Sequence, residues 1–164
     1  MDLWPACAIA LTLGLACGGE ERAPQPRQAA EFHSETVESA LESAAAVVRT
    51  RGFTEKAEEP WRGFLVDRGA SVDEVRLRRG NCYVVLGATT PGVRSLTVTL
   101  HDSDGGEVAR SGPAAGAVRY CPPRGGTYFV AVHADGSGLF AVRWFEGPTG
   151  LEIRLDDLIA EGRP

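Results

Sequence analysis

Apolar and polar residues alternate with a period of two along much of the chain after Trp61. Because successive side chains of a β-strand point to opposite faces, this alternation predicts short, half-buried strands. Clusters of glycine, proline and aspartate separate the apolar runs, at the spacing typical of an all-β sandwich. The eight predicted strands are Trp61–Asp67, Val72–Leu77, Cys82–Gly87, Leu96–Asp102, Glu107–Ser111, Ala117–Cys121, Thr127–Ala134 and Leu139–Phe145.

Three of these strands alternate clearly enough to predict which side chains face the interior. The residues expected inside are Leu96, Val98, Leu100, Tyr128, Val130, Val132, Phe140, Val142 and Trp144. Thr97, Thr99 and His101 occupy the alternate positions and are expected to face outward. Each strand should therefore bury one face and expose the other.

Ahead of the strands, apolar residues recur at the three- and four-residue spacing of an amphipathic helix. The helix is expected from about Glu31 to Arg51, with Ser34 able to cap its start and Gly52 its end. Its apolar positions are Val37, Leu41, Ala44, Ala45 and Val48. Packing against its own domain is the favoured interpretation of this face, and binding of a partner is the alternative.

The charge and composition of the chain exclude some functions and folds. The 164 residues carry a formal net charge of −5 with a pI near 5.2, and the arginines are interspersed with acids. A nucleic-acid partner is not expected, because such proteins present a basic stripe. Twenty glycines, ten prolines and one methionine favour turns and short strands over a helical bundle.

At the amino terminus, an apolar run from Leu3 to Ala16 leads into Gly-Leu-Ala-Cys17 and stops at a polar segment. The run is shorter than the roughly 20 apolar residues that a membrane span needs. It resembles the lipobox of bacterial lipoproteins, in which cleavage makes the cysteine the acylated first residue. The resemblance implies lipidation of Cys17 and a lipid anchor in the membrane. A residue other than aspartate after the cysteine, here Gly18, implies export to the outer membrane.

Ordinary secretion is the alternative, because Gly14 and Ala16 also satisfy the small-x-small rule for cleavage without lipidation. That route would leave three cysteines in the mature chain and one unpaired thiol. Lipidation uses Cys17 and leaves Cys82 and Cys121, which are expected to form a disulfide in an exported protein. Metal ligation by this pair is disfavoured, because the sequence contains neither a CxxC motif nor a second pair.

The β region contains the segments LRRGNCYVVLG at 77–87, LTVTLHDSDGG at 96–106 and GTYFVAV at 126–132. Together these segments resemble the bacterial pre-peptidase C-terminal domain. The similarity covers about Trp61 to Glu146. It implies a jelly-roll-like sandwich with a DxDG turn, and an accessory role beside exported enzymes, with some members binding collagen or polysaccharide.

These observations together divide the chain into segments. They are a lipoprotein signal peptide at 1–16, a flexible tether at 17–30, a helix and connector at 31–60, a β-sandwich domain at 61–147 and a C-terminal tail at 148–164. The tail is predicted to be helical, because Leu151, Leu155, Leu158 and Ile159 share one helical face. The predicted fold class is mainly β: a jelly-roll-like antiparallel β-sandwich of about eight strands with an N-terminal amphipathic helix and a short C-terminal helix.

The sequence offers one candidate ion site and little catalytic chemistry. Asp102 and Asp104 lie in the glycine-rich segment 102–106, which could hold Ca²⁺, although a plain hairpin turn is the favoured interpretation. No other cofactor is expected. The histidines are His33, His101 and His133, and no serine lies in a G-x-S-x-G motif. The aromatic residues Trp61, Tyr83, Tyr120 and Trp144 could form a sugar platform, but core packing is favoured.

The sequence therefore predicts a non-enzymatic, membrane-anchored lipoprotein of the bacterial cell envelope. Its sandwich is expected to bind polysaccharide or an envelope protein through loops near Asp102–Gly106 and Asp135–Gly138. An envelope-structural subunit with a dedicated protein partner, recruited through the helical ends, is the alternative. A calcium-dependent enzyme is the third and least favoured hypothesis.

Overall fold

A computed structural model describes residues 26–112, 116–155 and 158, with side chains from Val37 onward. Its helix is α1 (Pro26–Thr50). Its strands are β1 (Thr54–Glu55), β2 (Trp61–Leu65), β3 (Ala70–Leu77), β4 (Asn81–Thr89), β5 (Val93–His101), β6 (Glu107–Arg110), β7 (Ala117–Tyr120), β8 (Gly126–Gly136) and β9 (Gly138–Pro148). Signal segment 1–16 and Cys17 lie outside the described residues.

The strands form two antiparallel sheets. The first has the order β1-β9-β4-β7, with β2 also paired to β9, and the second has the order β3-β8-β5-β6. The prediction of a mainly β, antiparallel fold with eight or more strands is confirmed. The additional strand, β1, has only two residues. Two residues are too few to show a period in the sequence. The finer jelly-roll description stays a prediction.

The two sheets bury a shared apolar core between them. Val85 and Val142 come from the first sheet, and Val98 and Val130 from the second. Eight of the nine residues predicted to face inward are buried, and Leu96 is half-buried at the margin of the core. The alternation of apolar residues therefore identified the core face of these strands.

Thr99 is the exception among the residues expected to be exposed, because it is only 1% exposed. It pairs with Ala131 across the outer face of the second sheet. Its hydroxyl lies 3.4 Å from the carbonyl oxygen of Ala131 and 3.1 Å from Nε2 of His101. Thr99 points outward as predicted, but it is buried rather than exposed. The hydroxyl can be buried because these partners satisfy its hydrogen bonds.

Helix α1 packs on the outer face of the first sheet. Its buried side chains Val37, Leu41, Ala45 and Val48 form a second apolar cluster with residues of β4 and β9, among them Val84 and Phe145. Strand β4 is therefore covered on both faces, which explains its continuous buried run from Cys82 to Leu86.

Helix α1 begins at Pro26, ahead of the predicted start at about Glu31. Proline is favourable in the first turn of a helix, because it has no N–H to leave unsatisfied. No apolar periodicity in the sequence marks the residues ahead of Glu31.

The structure describes the predicted C-terminal helix only in part, and Leu158 is helical there. Residues Leu151 to Arg154 are not helical, and the chain there buries Ile153 while leaving Leu151 half-buried. The guanidinium group of Arg119 donates a hydrogen bond of 2.9 Å to the carbonyl oxygen of Leu151, in place of a helical amide. Leu158 is buried in the second apolar cluster, and the rest of the predicted helix lies outside the described residues.

The loops fall into two groups at the two ends of the sandwich. Loops 78–80, 102–106 and 121–125 meet at the end where Leu77 pairs with Gly126 and His101 with Phe129. We call this the disulfide end, because it contains Cys82 and Cys121. Loops 66–69, 90–92 and the turn at 136–138 lie at the opposite end.

Candidate functional site

The disulfide end is held together by the bond between Cys82 and Cys121. In the pairing of β4 with β7, Tyr83 lies opposite Tyr120, so the two cysteines continue the ladder by one position. Strand β7 has four residues and forms the edge of its sheet. The disulfide therefore fixes the start of loop 121–125 against the rigid strand β4.

The DxDG segment forms a tight turn at this end. Oδ1 of Asp102 accepts hydrogen bonds from the backbone N–H of Asp104 at 3.1 Å and of Gly106 at 2.8 Å. Gly105 has a φ of 83°, a conformation that glycine adopts at little cost. The described residues contain no group of three or more His, Cys, Asp and Glu side chains placed to hold a metal ion. The calcium site at Asp102 and Asp104 stays a prediction.

A cleft of about 280 Å³ opens between this turn and loop 121–125. Its lining residues are Asp102, Ser103, Asp104, Val108, Tyr120, Pro123, Arg124, Gly125, Gly126, Thr127 and Tyr128. The Tyr120 and Tyr128 rings meet edge to face, with their centroids 5.7 Å apart. The hydroxyl of Tyr128 donates a hydrogen bond of 2.9 Å to the carbonyl oxygen of Arg124, which anchors the loop to β8.

The charge state of Tyr120 limits what the cleft can do chemically. Burial is the main reason that the pKa of Tyr120 rises to about 12, and the Tyr128 hydroxyl and the Asp102 carboxylate raise it further. Tyr120 is therefore neutral near pH 7. It can bind a ligand by hydrogen bonding, but its pKa is far from the range that suits a general acid or base.

The other candidate aromatic residues do not join Tyr120 in an exposed platform. Tyr83 and Trp144 are buried in the core. Trp61 packs edge to face on Phe140, with ring centroids 5.2 Å apart. The favoured interpretation of these aromatic residues as core is confirmed for Tyr83 and Trp144, whereas Tyr120 reaches the cleft.

The structure separates the two loops that the sequence analysis considered together. Loop 102–106 lies at the disulfide end, whereas Asp135–Gly138 lies at the opposite end. Along β8 the six residue steps from Phe129 to Asp135 span about 20 Å at the usual rise of a strand. The Asp135 carboxylate is already engaged by the guanidinium group of Arg94. The two loops therefore do not share one compact binding site.

The histidines do not assemble a hydrolytic centre within the described residues. The His101 ring lies 3.1 Å from the Thr99 hydroxyl and 3.3 Å from the carbonyl oxygen of Gly105. His133 is exposed on the outer face of the second sheet, opposite Thr97 in the strand register. The side chain of His33 lies outside the described residues.

Next to the cleft, the fold assembles a group of cations that the sequence analysis missed. Lys56 and Arg78 line two concave surfaces of about 470 and 420 Å³, and Arg76 also lines the larger one. Arg79 follows Arg78 in loop 78–80, and Arg124 is in the neighbouring loop 121–125, which lines the cleft. We call these five residues the basic rim. Its sequence signal was the segment RLRRG at 76–80.

Two carboxylates, Glu55 and Glu146, line the smaller concave surface together with Lys56 and Arg78. Glu55 is ion-paired with Arg49 and Arg143, which are outside the rim. Glu146 lies 3.2 Å from Nζ of Lys56 and accepts hydrogen bonds from Asn81 and from the Tyr83 hydroxyl. Burial, the largest single influence, would raise its pKa, but the combined effect of Lys56, Asn81 and Tyr83 holds the pKa below its usual value. Glu146 is therefore ionised near pH 7 and neutralises Lys56 alone.

The described part of the chain contains no helix with both the length and the apolar character needed to cross a bilayer.

Comparisons with known proteins leave the family open. No family model matches the sequence, and no curated protein matches it significantly. Among solved structures, the chain is similar to that of PliG from Aeromonas hydrophila, which is described as a periplasmic lysozyme inhibitor of g-type lysozyme. The identity is 10% and the TM-score 0.47, over 59% of this chain and 90% of PliG. A likeness of this extent assigns neither a fold family nor an activity.

Proposed function

We propose that the protein is a non-enzymatic lipoprotein of the bacterial envelope that is anchored in the outer membrane through Cys17 and binds a polysaccharide. The polysaccharide would bind in the cleft at the disulfide end. The observation that carries the proposal is the cleft itself, in which carboxylates, a guanidinium group and a neutral tyrosine converge on one opening.

The chemistry of this lining suits a sugar chain. Hydroxyl groups of a sugar both donate and accept hydrogen bonds, so they need acceptors such as the Asp104 carboxylate and donors such as the Arg124 guanidinium. Tyr120 can do either. Gly125 and Gly126 are exposed and leave their backbone open to a ligand. Polar groups of both kinds, held on a rigid scaffold, are typical of loop-based binding sites.

The rigidity of the loops supports binding without a large conformational change. The disulfide holds the start of loop 121–125, the Tyr128 hydroxyl holds Arg124, and the Asp102 carboxylate closes its own turn. A site whose parts are already fixed loses little conformational entropy when a ligand binds.

An envelope-structural role with a dedicated protein partner is the second candidate. The apolar face of α1 between Val37 and Val48 is already buried against the domain, so it is not available to a partner. The outer face of the second sheet is the better surface, because Val72 is 60% exposed there. Co-purification of one stoichiometric protein, lost on Val72→Asp, would favour this candidate.

The anchor is tested by metabolic labelling with an alkyne analogue of palmitate. We expect the protein to be labelled, to fractionate with outer membranes and to lose both properties on Cys17→Ala. The matched control is Cys7→Ala, which changes the cysteine that cleavage would remove. Recovery of unlabelled, soluble wild-type protein would contradict the anchor.

The binding site is tested with a glycan array followed by calorimetry on the best ligand. Asp104→Asn and Arg124→Gln should each weaken binding by about 3- to 10-fold, the effect of losing one hydrogen bond. Arg94→Gln, at the opposite end, is the control and should leave affinity unchanged. A wild-type protein that binds no glycan, or one whose binding is unaffected by both cleft variants, would refute the proposed site.

A further inference from the structure

We infer that the polysaccharide is acidic, and that its carboxylate or phosphate groups bind the basic rim while its sugar rings occupy the cleft. This inference rests on the proposed function and names the chemical class of its ligand. It follows from where the fold places unpaired cations.

The basic rim and the cleft form one continuous surface. Gly126 and Thr127 line both the cleft and the larger concave surface that Arg76 and Arg78 also line. A Cβ atom at Gly125 would lie 3.4 Å from the backbone nitrogen of Arg79, so loop 121–125 rests directly on loop 78–80. A polymer in the cleft can therefore extend across the rim without leaving the protein surface.

The arginines of the rim differ from most other arginines of the described chain in having no acidic partner. Arg49, Arg62, Arg94, Arg110 and Arg143 each form an ion pair within 4.0 Å. The rim arginines are exposed, and within the described residues none of their guanidinium groups forms an ion pair or a hydrogen bond. They are Arg76, Arg78, Arg79 and Arg124.

This concentration of charge runs against the balance of the whole chain. The formal net charge is −5, yet four unpaired guanidinium groups and Lys56 lie at one end of the sandwich. Of the carboxylates there, Glu146 is paired with Lys56, Glu55 is paired outside the rim, and Asp102 and Asp104 line the adjoining cleft. Like charges placed together repel one another and lower stability, so this arrangement has a cost that an anionic ligand would offset. Exposed guanidinium groups bind carboxylates and phosphates through paired N–H donors.

The direction of helix α1 disfavours anionic lipid headgroups as the ligand. Val37 lies beside Arg62 and Phe140, on the side of the opposite end, and Thr50 leads into β1 at the disulfide end. An anchor at Cys17 precedes the helix, so it joins the domain from the end away from the rim. The whole of α1, about 37 Å at 1.5 Å per residue, therefore lies between the anchor and the rim along the chain.

The mixture of groups favours a glycan over a nucleic acid or an acidic peptide. Single-stranded nucleic acids bind through exposed aromatic side chains on which bases stack. In the cleft Tyr128 is buried, and Tyr120 is half-buried with its ring against Tyr128. The carboxylates of Asp102 and Asp104 beside the rim can accept hydrogen bonds from sugar hydroxyls, whereas the ionised side chains of an acidic peptide have no hydrogen to donate to them.

The test compares oligogalacturonate with its fully methyl-esterified form, which has the same backbone without charge. We expect the acidic form to bind at least tenfold more tightly. We also expect its affinity to fall by about tenfold or more between roughly 50 and 200 mM NaCl, because several ion contacts release counterions. Arg76→Gln/Arg78→Gln should abolish this preference and the salt dependence.

The control Arg62→Gln/Arg94→Gln removes the same charge from outside the rim and should retain both properties. Equal binding of the acidic and esterified forms, unaffected by the rim variant, would overturn the inference while leaving a glycan site in place. If neither form binds, and no glycan on the array binds, the proposed function itself is overturned. Equally tight binding of single-stranded DNA or of phosphatidylglycerol vesicles would also overturn the inference, since the rim would then select charge alone.

Discussion

Removal of the disulfide should cost this domain a large part of its stability. Cys82 and Cys121 are 39 positions apart, so the bond closes a loop of that length in the unfolded chain. By the chain-entropy relation, a loop of about 40 residues corresponds to about 4 kcal/mol at 25 °C. Single domains are stable by only about 5–15 kcal/mol, so the expected loss is severe.

The perturbation is Cys82→Ala/Cys121→Ala, measured by urea unfolding with circular dichroism. Because Cys82 is 1% exposed in the cluster under helix α1, truncation adds a cavity cost on the order of 1 kcal/mol. We expect a total loss of about 4–5 kcal/mol. The m-value should rise, because an unfolded chain without the cross-link exposes more surface.

Reduction of the wild-type protein separates these two contributions, since it opens the loop without truncating a side chain. The reduced protein should lose about 4 kcal/mol, and thiol counting under denaturing conditions should change from no free thiol to two at Cys82 and Cys121. A loss below about 1 kcal/mol with an unchanged m-value would refute the argument that the bond acts by restricting the unfolded chain.

Three further predictions concern the helix, the rim carboxylate and the turn. Leu41→Ala should cost about 2–5 kcal/mol in urea unfolding, because Leu41 is 2% exposed, whereas exposed Ser39→Ala should change stability by less than about 0.5 kcal/mol. Glu146→Gln should cost about 1 kcal/mol at neutral pH. Because the folded-state pKa of Glu146 lies below its usual 4.5, its ionised form stabilises the fold above that pH, and the difference from the variant should vanish as pH falls through the lowered value. Asp102→Ala should lower stability by about 1–2 kcal/mol. The wild-type melting temperature should be the same in CaCl₂ and in EDTA, and a calcium-dependent rise that the variant lacks would instead establish the ion site.

The strands could be predicted because burial imposes a period that the sequence must carry. In β8, Tyr128, Val130 and Val132 face the core at every second position, so the pattern fixed both the strand and its inner face. Strand β4 was predicted from a continuous apolar run rather than an alternation. The structure explains this run, since Val84 faces α1 and Val85 faces the second sheet.

The first part of the tail differs from the predicted helix, because three- and four-residue spacing of leucines is not unique to helices. Leu151 and Ile153 contact the second apolar cluster from a non-helical segment, whereas Leu158 is helical. Arg119 satisfies the backbone there. A tertiary hydrogen bond of this kind leaves no local signal in the sequence.

The basic rim escaped the sequence analysis because its members come from three separate segments. Lys56, Arg78 and Arg124 are far apart along the chain. When charge is summed over a stretch of sequence, acidic residues nearby in the chain offset each of these cations. The pairing of β3 with β8 and of β4 with β9 brings them to one end.

The position of the loops, however, follows from counting strands. From β2 to β9 in chain order, each strand runs from one end of the sandwich to the other and the next strand runs back. Successive loops therefore alternate between the two ends. The described loops after β3, β5 and β7 therefore share the disulfide end, and those after β2, β4 and β8 share the other. Asp102 follows β5, and Asp135 lies near the end of β8. These strands differ by three in this order, an odd number, so the two residues had to lie apart. The same count places RLRRG, DSDGG and CPPRGG together, which is the arrangement that creates the cleft and its rim.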